Sequence, residues 1–266
     1  MNESTRLQLS LLQSTPTIVV AISIFVLLIT FYFLGFRLRS RVKENNQLET
    51  TEDLGAINGA LLGLLAMLLA FTFSMANSRY DTRRELVIEE ANDIGTAILR
   101  TDVYPDSMRT ILRSRLKDYV DARIAFYQVG MDMEKMIDRY NKANEISAEV
   151  WSIVANYARQ DNITTKTSEL IPALNAMIDI TTTRRAAGES TIPDSIMYFL
   201  FSLCLCSAFL LGYDRKNKFD LIVVVGFALM LSATVFTIID LDRPRSGLIN
   251  MDIPNQKIIE LREMFK

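Results

Sequence analysis

The stretch GAINGALLGLLAMLLAFTFSMA, residues 55–76, contains no Asp, Glu, Lys or Arg, and NSRYDTRRELVIEEAND, residues 77–93, follows it directly with charges in every turn. The hydrocarbon core of a bilayer takes about 20 residues of helix, and within it every backbone N–H and C=O must be bonded internally. Residues 55–76 meet that demand as one transmembrane helix. Working outward, residues 16–36, 195–212 and 219–239 meet it too, each apolar and free of charge through its centre. The layout predicts an all-α membrane protein with four transmembrane helices in two hairpins. A helical soluble domain is inserted between spans two and three.

This reading divides the chain into four parts. Residues 1–76 hold the N-terminal tail and spans one and two, and 77–192 form the extramembrane domain. Residues 193–240 hold spans three and four, and 241–266 form the C-terminal tail. The insert carries 16 Lys/Arg against 18 Asp/Glu, a near-balance that offers no electrostatic basis for binding nucleic acid. The chain has no histidine, which removes Ser-His and Cys-His nucleophile pairs and His-bearing zinc sites. No enzyme activity, cofactor or metal is expected. The two cysteines, Cys204 and Cys206, both lie in span three and point about 200° apart on a helix, so they read as packing residues. The first apolar run begins at Pro16 with no basic leader or small-residue cleavage pattern. It reads as a retained anchor rather than a signal peptide.

Beyond span two there is no Pro or Gly until Gly95, and Tyr80, Val87 and Ile94 recur at seven, with Arg84, Ala91 and Ile98 on the neighbouring stripe. Span two is therefore predicted to leave the membrane as one helix reaching about Asp102, where Tyr104-Pro105 stops it. Further helices are predicted over 107–128, 132–160 and 168–186, the second of these through Met136, Tyr140, Ala143, Ser147, Val150, Val154 and Tyr157. Pro193 introduces span three, and Ile258 to Phe265 forms an amphipathic piece in the tail. Such narrow stripes suit helix packing within one subunit or between subunits.

Two groups of residues are candidates for function. Gly55, Gly59 and Gly63 recur every four residues, a small-residue ridge that lets another backbone approach closely in lipid. The ridge serves either a tight helix contact or a pore-lining or hinging helix. Asn58 lies beside it, as an interhelical hydrogen-bond partner or a polar pore group. Asp240, Asp242, Arg243 and Arg245 sit where span four leaves the membrane, on the side where Arg79, Arg83 and Arg84 follow span two. They form either an interfacial salt-bridge cluster or a charged ring at a pore mouth. No ionisable group lies at membrane depth, which disfavours proton-coupled transport and stators but not passive conduction. The short segments 37–54 and 213–218 together carry seven Lys/Arg. By the positive-inside rule they face the cytoplasm and the insert lies outside it, although Arg79, Arg83, Arg84, Arg184 and Arg185 on the insert side pull the other way.

Several segments together carry a family resemblance. They are Glu44-Asn45-Asn46 before span two, Gly59-Ala60-Leu61-Leu62-Gly63-Leu64-Leu65-Ala66 and Phe71-Thr72-Phe73-Ser74-Met75-Ala76 within it, Glu89-Glu90-Ala91-Asn92-Asp93-Ile94-Gly95-Thr96-Ala97 after it, and Asp240-Leu241-Asp242-Arg243-Pro244-Arg245-Ser246-Gly247-Leu248-Ile249 after span four. In these the chain resembles the bacterial bestrophin-like domain family, whose activity is not established. The match is weakest across 130–190. The resemblance implies kinship with bestrophins, which are pentameric anion channels with four spans per subunit and a cytosolic helical region. That last feature opposes the charge count. The combined expectation is a homo-oligomeric passive ion channel, a pentamer by analogy, set in the lipid of a bacterial cytoplasmic membrane with span two near the axis. The alternative is a non-conducting membrane scaffold or stress sensor whose helical domain binds a partner protein.

Overall fold

The computed structural model describes residues 15–45, 55–130, 132–159, 164–214, 221–243, 248–249 and 251–266, with no strand among them. The helices are α1 (Thr17–Asn45), α2 (Gly55–Arg100), α3 (Asp106–Gln128), α4 (Met133–Ala158), α5 (Thr164–Glu189), α6 (Asp194–Asp214), α7 (Leu221–Asp242) and α8 (Asp252–Glu260). Short 3-10 turns cover Thr101–Val103 and Leu261–Phe265. Among the described residues, four helical segments, built around α1, α2, α6 and α7, are long and apolar enough to cross a membrane. The described residues form two compact units. One runs up to Ser78 and resumes over Thr191–Arg243; the other is Arg79–Ser190 with the C-terminal tail.

α2 ends for the reason its sequence supplies. The helix gives way to the 3-10 turn, and Tyr104 then adopts extended backbone (φ −90°, ψ 157°). Pro105 has no N–H and crowds the residue before it out of the helical region. α4 begins on Asp132, whose carboxylate accepts the Lys135 N–H at 3.1 Å, filling one of the donors a helix start leaves open.

In the membrane unit, α1 packs against α6 and α7. Its buried positions Ala21, Ile24, Leu28, Tyr32 and Gly35 repeat at three and four, as do Val224, Ala228, Leu231, Val235 and Ile238 on α7. The closest approach is reciprocal. A Cβ added at Gly35 would lie 2.0 Å from the Phe209 carbonyl oxygen, and one added at Gly212 would lie 2.0 Å from that of Tyr32. Only glycine lets these two backbones meet. Arg39 Nη1 then donates to Tyr213 O at 3.0 Å, so an arginine of the basic segment 37–54 satisfies a carbonyl at the end of α6, where the helix dipole favours a cation.

The second unit, read from the sequence as the soluble one, buries one apolar core. α2 supplies Val87, Ala91, Ile94 and Ile98, α3 supplies Leu112, Leu116 and Tyr119, and α4 supplies Ala143, Val150 and Val154. Arg84, which shares the predicted stripe with Ala91 and Ile98, is instead exposed, since a guanidinium without a partner stays in water. The tail belongs to this core. Ile258 is 0% exposed and Leu261 8%, Arg113 donates to Met264 O, and Arg262 pairs with Asp121 at 2.6 Å.

Candidate functional site

Within the membrane unit, α2 turns one narrow stripe inward. Asn58, Leu65, Thr72 and Ala76 are buried, at spacings of seven, seven and four. Thr72 folds its hydroxyl back onto Leu68 O at 2.8 Å and Leu69 O at 3.1 Å, which removes it as a free polar group. Asn58 is on the same stripe, and its Nδ2 is buried without a hydrogen-bond partner. Gly55, Gly59 and Gly63 are exposed, and a Cβ at Gly59 or Gly63 would meet nothing within 4 Å. The glycine ridge and the asparagine therefore serve different faces. Asn58 faces its own chain, and the ridge faces away from it.

Of the charged candidates, Arg79, Arg83, Asp242 and Arg243 are tied at helix ends. Arg83, 5% exposed, donates from Nε to Ala187 O at 3.1 Å and from Nη2 to Ser190 O at 2.6 Å, covering carbonyls left open where α5 ends. Arg79 donates to the Ser190 hydroxyl, and Arg84 is exposed. Asp242 accepts the Ile192 N–H on both oxygens, at 2.9 and 3.1 Å. Arg243 Nη1 donates to Thr15 O at 2.5 Å and approaches Thr17 Oγ1 at 3.4 Å. Asp240 is buried, and Arg245 lies outside the described residues. Among the described residues no three Cys, Asp or Glu side chains converge to hold a metal.

A polar cluster absent from the sequence reading lies inside the soluble unit. Glu90 of α2 is 0% exposed and Arg123 of α3 is 1% exposed, with Arg123 Nε 2.5 Å from Glu90 Oε1. Tyr127 donates its hydroxyl to Glu90 Oε2 at 2.8 Å, and Arg184 of α5 donates to the same oxygen. Arg184 also lies over the Tyr127 ring, 4.1 Å from its centroid, and reaches Asn255 of α8 at 3.4 Å. Burial alone would raise the Glu90 carboxyl. The charges of Arg123 and Arg184 and the hydrogen bonds from Arg123 and Tyr127 override it, holding the group down at about 2. Burial acts first on Tyr127 as well and pushes its phenol up. One carboxylate joins α2, α3 and α5, and Arg184 carries the link on to the tail. A sequence signal did exist: Arg123 continues the apolar register Leu112, Leu116, Tyr119, and Glu90 sits three residues after Val87 and four before Ile94. A charge in a core register needs a buried partner.

A family model described as the bestrophin-like domain matches residues 20–252. None of the curated proteins matches the sequence. Among solved structures, a tryptophan-to-alanine variant of a bacterial bestrophin homologue from Klebsiella pneumoniae is similar with a TM-score of 0.70 at 12% identity, covering 94% of this chain and 97% of that one. The structure of that homologue obtained by Zn-SAD phasing gives a TM-score of 0.68 at 13% identity, covering 92% and 96%. At such identities the likeness is one of fold.

Proposed function

Because the chain belongs to the bestrophin-like family, we propose that this membrane protein is a passive ion channel, assembled from several copies with α2 beside the axis. One observation carries the reading. Only 17% of the most apolar window of α2 is buried within the chain, against 33 to 39% for the other three spans. A helix so sparsely covered by its own chain has most of its surface left for other copies or for a conduit. The small residues Gly59 and Gly63 on that open surface let neighbouring backbones approach closely. The two-hairpin topology with an inserted helical domain, the pentameric state and a bacterial cytoplasmic membrane belong to the same reading, as does the extracytoplasmic placement of the domain from the short-loop charges. Asn58, on the inward stripe, is a helix-packing group in this scheme.

Two features pull ion choice in opposite directions. Kinship with bestrophins points to anions. Asp81, Glu85 and Glu89, spaced by four along α2, would favour cations if their face lines the conduit. Purified protein in liposomes should pass ions above the empty-vesicle background, and the reversal potential across a salt gradient reads the sign of the carrier. Gly63→Leu, at an exposed position where an added Cβ meets nothing within 4 Å, should cut the flux while monomer stability is kept. Should no flux arise under varied voltage, tension and pH, the scaffold reading replaces this one. Its docking surface would then include the exposed Leu99, Val103 and Ile111 of the soluble unit.

A further inference from the structure

The core of the soluble unit holds two arginines against one carboxylate, with the second arginine, Arg184, 11% exposed and Asp93 of α2 within electrostatic reach of Glu90. Glu90, Arg123 and Arg184 sum to one positive charge, and the first two are sealed from solvent. Both carboxylate oxygens of Glu90 are already engaged, Oε1 by Arg123 Nε and Oε2 by the Tyr127 hydroxyl and Arg184 Nη1. Arg123 Nη2 donates to the Tyr127 oxygen, and Arg184 Nη2 reaches Asn255 Oδ1 at 3.4 Å. Of the two guanidinium groups, one buried nitrogen lacks an acceptor. Arg123 Nη1 is buried and has no acceptor. The rings of Phe126 and Tyr127 lie 5.1 Å from the guanidinium carbon and flank the group, so an acceptor would approach in its plane, at Nη1.

We infer that Arg123 Nη1 is a binding site for one small monovalent anion of halide size, which neutralises the buried Glu90–Arg123–Arg184 cluster. The chemistry narrows the class. A buried guanidinium N–H requires an acceptor, and an uncompensated buried charge requires its opposite. Water meets the first requirement and leaves the second. A cation meets neither. A divalent oxyanion over-neutralises the cluster and brings more oxygens than there are donors to satisfy them. The site lies in the soluble unit and does not depend on whether the chain conducts.

The test uses the full-length protein in detergent, in a halide-free gluconate buffer titrated with bromide at constant ionic strength. Thermal unfolding should shift upward and, once bromide exceeds its dissociation constant, keep rising with the logarithm of its concentration. The folding equilibrium constant should grow about tenfold for each tenfold rise in bromide above half-saturation, as for any ligand that binds only the folded state. Arg123→Met leaves Glu90 paired with Arg184 at zero net charge, and it should abolish the bromide dependence. Crystals grown in bromide should show an anomalous scattering peak at Nη1. If Arg123→Met does not fold, the wild-type titration and the anomalous peak still decide the matter. A flat titration, or a water at Nη1 with no anomalous signal, overturns the proposal. The same bromide dependence surviving in Arg123→Met places the anion elsewhere and overturns it equally. Ion flux is not read, so a failure of the channel reading leaves the outcome untouched.

Discussion

Replacing Gly212 with alanine adds a single methyl group where α6 meets α1. Its carbon would lie 2.0 Å from the Tyr32 carbonyl oxygen and 2.8 Å from the Tyr32 carbonyl carbon. The obstacle is helical backbone rather than the tip of a flexible side chain, so the two helices must part by about 1.5 Å to reach ordinary contact distance. Overpacking of this kind costs about 1–3 kcal/mol, and the rigid obstacle argues for the upper end. Alanine's better helix propensity returns about 1 kcal/mol, leaving a net loss of about 2 kcal/mol. At about 2–4 °C per kcal/mol for a chain of this size class, the unfolding temperature falls by about 4–8 °C. Cys204 provides the probe, since its side chain is buried on α6 while Cys206 is exposed. In a Cys206→Ala background, a thiol-reactive dye reports the opening of this helix contact during a thermal ramp in detergent. Gly35→Ala clashes at the reciprocal point with Phe209 O. The double variant should lose less than the sum of the two, because helices parted by the first methyl already accommodate the second. Gly63→Ala meets nothing within 4 Å and should match or exceed the wild type. If Gly212→Ala melts with the parent while Gly63→Ala melts below it, the assignment of the close contact is wrong.

Three further expectations concern the ties elsewhere. Glu90→Gln breaks a buried ion pair, a change that typically costs about 3–5 kcal/mol, and chemical denaturation should show it. The Glu90 group is held near 2, below its ordinary 4.5. Its stabilisation is complete above 4.5 and lost as pH falls toward 2, on the order of 3 kcal/mol. The acid-unfolding curve of the wild type should therefore slope through that window more steeply than that of Glu90→Gln, and parallel curves would count against the pairing. Asp242→Ala strips the Ile192 N–H of its acceptor, which should lower stability by about 1–3 kcal/mol, read as a drop in thermal midpoint; an unchanged midpoint would mean water replaces the carboxylate. For sidedness, Asn141→Cys places a thiol on an exposed helix position in a Cys204→Ala, Cys206→Ala background. Labelling of intact cells by an impermeant reagent agrees with the short-loop charges, while labelling only after lysis reverses the orientation.

The all-helical class and the four apolar spans were legible in the sequence because both follow from local physics. A bilayer demands about 20 uncharged residues per crossing, and a helix repeats its inner face every three to four. Ala143, Val150 and Val154 were identifiable as core on spacing alone, and Tyr104-Pro105 as the stop of α2 on steric grounds. Partner choice was not legible, because it depends on residues far apart in the chain. Glu90 meets Arg123 and Arg184 across separations of 33 and 94 residues, and nothing in the register of α2 names either arginine. The glycines show the same division. Gly55, Gly59 and Gly63 form the conspicuous ridge in the sequence, yet within the chain the close backbone contact falls on the isolated Gly35 and Gly212. Spacing along one helix determines which residues share a face. Which face another helix covers is decided only when the helices pack.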